Sequence, residues 1–323
     1  MADSKRWTVL LILVLMMTMV SPSFAEQQQP YVGIVQLAEH PSLDAARLGF
    51  MAALEDNGYE EGVNLLIDYR NAQGSQDILS AISDHFIAQQ VDLVLAIATS
   101  AAQAIAGKTE TIPILGSAIT DYVAAGLVMT NEVPGYNVSG TTDMNPVKDQ
   151  IALIKRFLPD AARVALMYTS SEANSVVQAA MAQEYIEELG MEYVEVTVNN
   201  SNDVQQAAQS LVGRVDAVYI PTDNVMASTV PIISEVLTDA GIPLFCAEES
   251  SVKGGGTATL GINYYNLGYQ TGLMAIDVLK GGDISQMAIQ AQTEYEYAIN
   301  KASCDALGLT IPEDLLPYIL PAE

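Results

Sequence analysis

YVGIVQLAEHPSLDAARLGFMAAL, residues 31–54, is the stretch from which the fold can be read. Residues 31–37 form a short apolar run of the kind a buried parallel strand needs, while Leu43, Ala46, Phe50, Ala53 and Leu54 recur at helical spacing. A strand therefore feeds a helix. Pro41 suits the first helical turn, and Ser42 or His40 is available to cap it. In open α/β sheets ligands bind beyond the carboxyl ends of the strands, where a helix N-terminus offers free N–H groups to an anion. The loop 36–44, carrying Gln36, Glu39, His40, Leu43 and Asp44, is thus the first candidate binding wall.

The same alternation continues outward. Strands are predicted at 63–69, 92–98, 113–118 and 136–140, with helices at 77–89 and 101–107 and a capping turn at Thr99-Ser100. It then restarts, with strands at 163–168, 193–198, 217–220, 243–246, 257–262 and 293–299. Helices are expected at 147–158, 176–189, 204–211, from a cap at Asp223 to 240, at 267–279, and in a short closing segment at 311–320. Strands alternating with helices call for parallel sheets with right-handed crossovers. The fold class is therefore α/β, with two βα sheets in tandem. Hydroxyl, carboxylate and aromatic side chains stand at the strand exits.

Composition narrows the function. The 323 residues are half hydrophobic, which excludes a disordered chain, and carry a net charge of −26, which excludes nucleic acid or anionic lipid captured through a general field. Residues 1–25 read as a signal peptide: Lys5 and Arg6 precede an apolar core at 7–20, and Ser23-Phe24-Ala25 fits a cleavage site. No cysteine follows the apolar core, so the expected product is a diffusing periplasmic or secreted protein rather than a lipoprotein. Cys246 and Cys304 either pair or stay as buried free thiols, and neither has a neighbouring histidine that would make a metal site. No cofactor is expected. Gly107-Lys108-Thr109 lacks the earlier glycine of a phosphate-binding loop, and two separated histidines supply no catalytic triad.

The strings GIVQLAEHPSLDAARLGF, ITDYVAAGL, YTSSEANS, PTDNVMAS, EESSVKGGGTATLGINYYNLGYQTGLMAIDVLKG and INKASCDALGLTIPEDLL resemble ABC-transporter substrate-binding proteins of the tryptophan/tyrosine type. That resemblance spans nearly the whole chain after residue 30. It implies the type I periplasmic-binding-protein fold: two doubly wound parallel-sheet lobes joined by a three-crossing hinge. The lobes would comprise 26–142 with 264–291 and 143–263 with 292–323, and the crossings would fall near 141–145, 249–263 and 291–293. It further implies a monomeric, non-enzymatic receptor that traps a small amino acid-like ligand between the lobes and hands it to a membrane permease. A ligand-sensing role toward a chemoreceptor or sensor kinase is the alternative.

An amino acid needs an anion site, a cation site and a side-chain pocket, each preorganised enough to offset desolvation. For the carboxylate, the candidates are loop 36–44 with Thr99 and Ser100, although Ser100 has the plain alternative of capping its helix. For the ammonium they are Asp121, Asp223, Glu248 and Glu249. Asp223 has the competing role of an N-cap, and adjacent Glu248 and Glu249 point to opposite sides of an extended chain, so that at most one faces the cleft. For the side-chain pocket Tyr122, Tyr168, His40, Leu43 and Pro221 stand at the same mouths. Glu172, Asn174 and Asn224 complete the set, with helix initiation as their alternative role.

Overall fold

The computed structural model describes residues 29–321; the expected signal peptide lies outside them. Five strands come first: β1 (Tyr31–Gln36), β2 (Leu66–Asn71), β3 (Leu93–Ile97), β4 (Ile114–Ile119) and β5 (Val138–Thr142). They are followed by β6 (Arg163–Thr169), β7 (Glu192–Val198), β8 (Ala217–Ile220), β9 (Leu244–Cys246) and β10 (Ala258–Gly261). Two short strands close the series, β11 (Gln290–Ala291) and β12 (Glu296–Ile299). Hydrogen bonding sorts them into two six-stranded sheets, ordered β11-β5-β4-β3-β1-β2 and β12-β10-β9-β8-β6-β7. The chain therefore passes from one sheet to the other three times, at 143–146, 262–263 and 292–295.

Helices cover the sheets because the strands are apolar on both faces. All five residues of β3 are buried, and so are all six of β4, as expected of central parallel strands. Phe50 and Phe86 are fully buried in the first lobe, and Tyr219 and Phe245 in the second. Each such side chain contributes about 1.5–3 kcal/mol relative to exposure.

The Tyr264–Leu279 helix returns to the first lobe and packs on the Pro41–Asp56 helix almost backbone to backbone. Gly49 and Gly268 permit this: a Cβ on Gly49 would strike the Tyr265 carbonyl, and one on Gly268 the Ala46 carbonyl. The small-residue face GYQTG is thus what brings the chain home after its second crossing.

Three sequence expectations are corrected. β12 runs antiparallel to β10, because it enters its sheet from an interlobe crossing and not through a helical crossover. The span 249–263, expected to hold the second crossing, begins with a short helix, Glu249–Lys253, and β10 of the same lobe, so the second crossing starts only after β10. A further helix, Lys301–Leu307, is capped by Asn300 and ended by Gly308 in a left-handed conformation, and precedes a closing Glu313–Tyr318 3-10 turn. Cys246 and Cys304 are buried free thiols, and burial pushes both up from the ordinary thiol value.

Candidate ligand cleft

The carboxyl ends of the two sheets face each other, and side chains reach across. Ser42 Oγ, in the first turn of the Pro41–Asp56 helix, donates to Glu248 Oε2 at 2.5 Å and lies 2.7 Å from Ser250 Oγ. His40 occupies the N-cap position of that helix without a side-chain cap bond, and its Nε2 instead meets Asn224 Oδ1 at 3.2 Å. Beside these contacts runs a groove of about 600 Å³ between Leu37, Ala38 and Ser100 of the first lobe and Ser171, Glu172 and Asn224 of the second. Deeper in, Thr99, Asp121, Ala125, Ala173 and Asn174 enclose only about 10 Å³. Such a space holds one water at most.

Four carboxyl groups are buried here: Asp143, Glu172, Asp223 and Glu248. Asp223 caps the Asn224–Asp239 helix through Met226 N–H and also receives the N–H and hydroxyl of Thr169. Glu172 accepts from the backbone N–H groups of Asn224 and Val225 and from the side-chain amides of Asn224 and Asn174. Asp143, on the first crossing, accepts from the hydroxyls of Thr120 and Tyr264. Burial raises all four above the usual carboxylate range, Asp143 to about 6 and Glu248 to about 7. Burial also lowers His40 below the ordinary imidazole value. Among the described residues no lysine or arginine is buried, so the carboxyl groups have no buried cationic partner.

Three buried polar atoms at the cleft have no hydrogen-bond partner among the described residues: Thr99 Oγ1, His40 Nδ1 and Asn174 Oδ1. An unmade buried hydrogen bond costs about 1–3 kcal/mol, so each of these atoms has room in its bonding for a water or another polar partner. Thr99 is the first residue of the Thr99–Ala106 helix, and Ala98 before it holds φ +82°, a conformation costly for an L-residue. Strain at the end of β3 thus sets where Thr99 and the helix N-terminus point.

Other candidates take structural places. Tyr122 is buried over Gly116 and Gly140, where a Cβ would meet its hydroxyl, and donates to the Gly116 and Thr141 carbonyls. Leu43 belongs to the first-lobe core. Tyr168 packs with the second-lobe sheet and donates to Glu195. Each of these hydroxyls is thus committed inside its own lobe. Gln36 donates to Ala38 O and Asp44, Glu39 is exposed, and Asp44 also lies 3.9 Å from Arg47. Glu249 pairs with Lys253 one helical turn on while Glu248, the N-cap residue before that helix, faces Ser42; the helix start, not strand alternation, separates the two side chains. Pro221 is buried, and Asp121 caps the turn through Val123 and Ala124 N–H while lining the deep cavity. Sequence reasoning missed Asp143, whose signal was an acidic residue immediately after β5, and gave Ser42 only a capping role.

The sequence model described as ABC transporter substrate binding protein matches residues 31–320. The chain belongs to that family. Its fold is that of type I periplasmic binding proteins. This substrate-binding protein is 41% identical over 294 residues to the tyrosine-binding protein of Clostridioides difficile strain R20291, covering 91% of this chain and 85% of the relative. It resembles an ABC domain from Streptococcus pneumonia in complex with L-Trp, with 32% identity, TM-score 0.88, and coverage of 90% of this chain and 100% of that one. It is also similar to the ligand-free, open structure of a substrate-binding protein with adhesive properties from Clostridium difficile. There identity is 42%, the TM-score 0.71, and coverage 91% and 100%.

Proposed function

We propose that this protein is the extracytoplasmic solute receptor of an ABC importer, exported by the signal peptide at 1–25, and that it binds an amino acid with an aromatic or hydrophobic side chain between its lobes. In this reading the lobes are 26–142 with 264–291 and 143–263 with 292–323, hinged at the three crossings. The observation that carries it is the convergence of unpartnered Thr99 Oγ1 and His40 Nδ1 of the first lobe and Asn174 Oδ1 of the second with buried carboxyls of the second lobe and the first crossing that have no buried cationic partner. Once the lobes part enough to widen the roughly 10 Å³ space at Thr99, that set fits a zwitterion: Thr99 and the amides opening its helix take the carboxylate, and the acidic side takes the ammonium. The adjoining groove accommodates the side chain. The relatives that bind tyrosine and L-Trp support the ligand class.

The direct Ser42–Glu248 bond supports a closed arrangement, as does the better superposition on the L-Trp complex than on the more identical open structure. The closed form would then dock on a permease and release its ligand there, with no chemical step in the receptor. A thermal-shift screen over the standard amino acids tests the ligand class. Binding at a hundredfold excess over Kd stabilises by about 2.7 kcal/mol, which for a protein of this size is a rise of several degrees. A melting temperature indifferent to L-tyrosine, L-tryptophan and every other amino acid would sink the reading.

A further inference from the structure

The carboxyl groups at the lobe interface are not equivalent. Glu172 and Asp223 collect backbone N–H donors at the start of the Asn224–Asp239 helix, which oppose the effect of burial, although burial still lifts Glu172 to about 7. Glu248, the N-cap residue of the short Glu249–Lys253 helix, makes no side-chain bond to a backbone N–H. Both of its side-chain bonds run to Oε2 and come from hydroxyls, Ser42 at 2.5 Å across the interface and Ser250 at 3.3 Å within the second lobe. The groups that face it add no positive charge. Asp223 and Asp143 are acidic, Cys246 and Tyr264 are held neutral by burial, and burial lowers His40 below the ordinary imidazole value. Lys253, on the same short helix, is exposed and paired with Glu249 at 2.6 Å. Closing the lobes therefore buries a carboxylate against two others with hydroxyls alone to hold it, a cost that a bound proton or a cation removes.

We propose that the lobes close by placing a proton on the Glu248 carboxyl, and that at neutral pH the ammonium of a bound ligand takes that proton's place. The inference rests on the reading that the lobes open and shut around an amine-bearing ligand. Separation of the lobes returns Glu248 to water and to an ordinary carboxylate, so closure takes up a proton and falling pH favours it. Within the window between the ordinary value and about 7, the closed-to-open ratio rises roughly tenfold per pH unit. In neutral medium the ligand-free receptor stays open and closes on ligand. In acidic medium it closes unaided, and a permease that reads closure would be presented with an unloaded receptor.

Small-angle X-ray scattering of the ligand-free protein between about pH 8 and pH 5 tests this. Wild type should compact reversibly on acidification, whereas Glu248→Gln, which carries no titrating group there, should be compact throughout. A wild-type radius that ignores pH, or a variant that titrates like wild type, overturns the proposal. Should Glu248→Gln fail to fold, calorimetry of L-tyrosine binding in buffers of differing ionisation enthalpy gives the same answer from wild type. Release of about one proton per ligand near pH 6 is expected, and binding without proton exchange rejects it. Failure of L-tyrosine to bind at all counts against the ligand reading and leaves the scattering result standing.

Discussion

Gln292 grips the backbone of Asn263 at both ends of its amide: its Oε1 accepts the Asn263 N–H at 3.2 Å and its Nε2 donates to the Asn263 carbonyl at 2.7 Å. The third crossing is thereby tied to the second. Asn145 ties the first crossing to the second in the same way, accepting the Ile262 N–H at 3.3 Å while its Nδ2 donates to Thr222. The two amides hold three separate chain segments as one joint. Asn145→Ala should cost about 1–3 kcal/mol, because it orphans a buried N–H, and Gln292→Ala about 1 kcal/mol, because its site is partly hydrated. Urea unfolding of both variants measures this, and equal, negligible losses would mean the crossings need no tie.

Thr99 Oγ1 is the buried hydroxyl with no protein partner at the mouth of β3. Thr99→Val keeps the shape and removes the donor, so affinity for L-tyrosine or L-tryptophan should fall about tenfold while the melting temperature of the free protein holds or rises. Thr99→Ser should retain most of the affinity. Titration calorimetry separates the three proteins, and unaltered binding by Thr99→Val would remove Thr99 from the site.

Asp223 is both a helix cap and the acceptor for Thr169, so its main role is to hold β6 against the Asn224–Asp239 helix. Asp223→Ala should destabilise the free protein by about 2 kcal/mol or more. Glu249→Gln, which loses only a half-exposed pair with Lys253, should change stability by less than about 0.5 kcal/mol. Denaturant midpoints that fail to rank the two variants in this order would contradict the assignment.

Gly268→Ala places a Cβ against the Ala46 carbonyl, where no side chain can yield. The expected loss is about 1–3 kcal/mol from overpacking, read as a lower thermal midpoint. Gly281→Ala is a different case: nothing lies near its Cβ, but φ is +94°, so its smaller cost comes from backbone strain alone.

Asp143 and Glu248 titrate at higher pH in the folded closed protein than in the unfolded chain, Asp143 at about 6 and Glu248 at about 7. Folded protein thus binds more protons than unfolded protein between the ordinary carboxylate values and those pH values. The stability these groups contribute is present at the acid end of that window and is lost as pH rises through it. Melting curves of wild type and Glu248→Gln should therefore diverge above about pH 6, with the variant the more stable at neutral pH. Parallel profiles across that range would show that Glu248 takes up no proton in the folded free protein.

Local patterns made most of the fold readable. The alternation of apolar strand runs with helical spacing located eleven of the twelve strands and most of the long helices within a few residues. The strand that escaped, β11, has only two exposed residues and so carries no hydrophobic pattern. The direction of β12 was also hidden, since a strand's pattern is the same read parallel or antiparallel. At the cleft, residue type and position at a strand exit brought Thr99, Asn174, Asp223 and Glu248 into view. The same criterion also admitted Tyr122 and Tyr168, because an aromatic at a strand exit looks alike whether it turns toward the gap or back under its own loops.

Sequence by itself determined the periodic elements, the two-sheet α/β plan and the acidic character of the strand exits, because each follows from neighbours within a few residues along the chain. Only the tertiary structure decided that Ser42 meets Glu248 206 positions away, that Asp143 joins the buried carboxyls, and that two glycines seat one helix on another. Those outcomes depend on distances between remote segments, and on which polar atoms remain after every nearer partner has been taken.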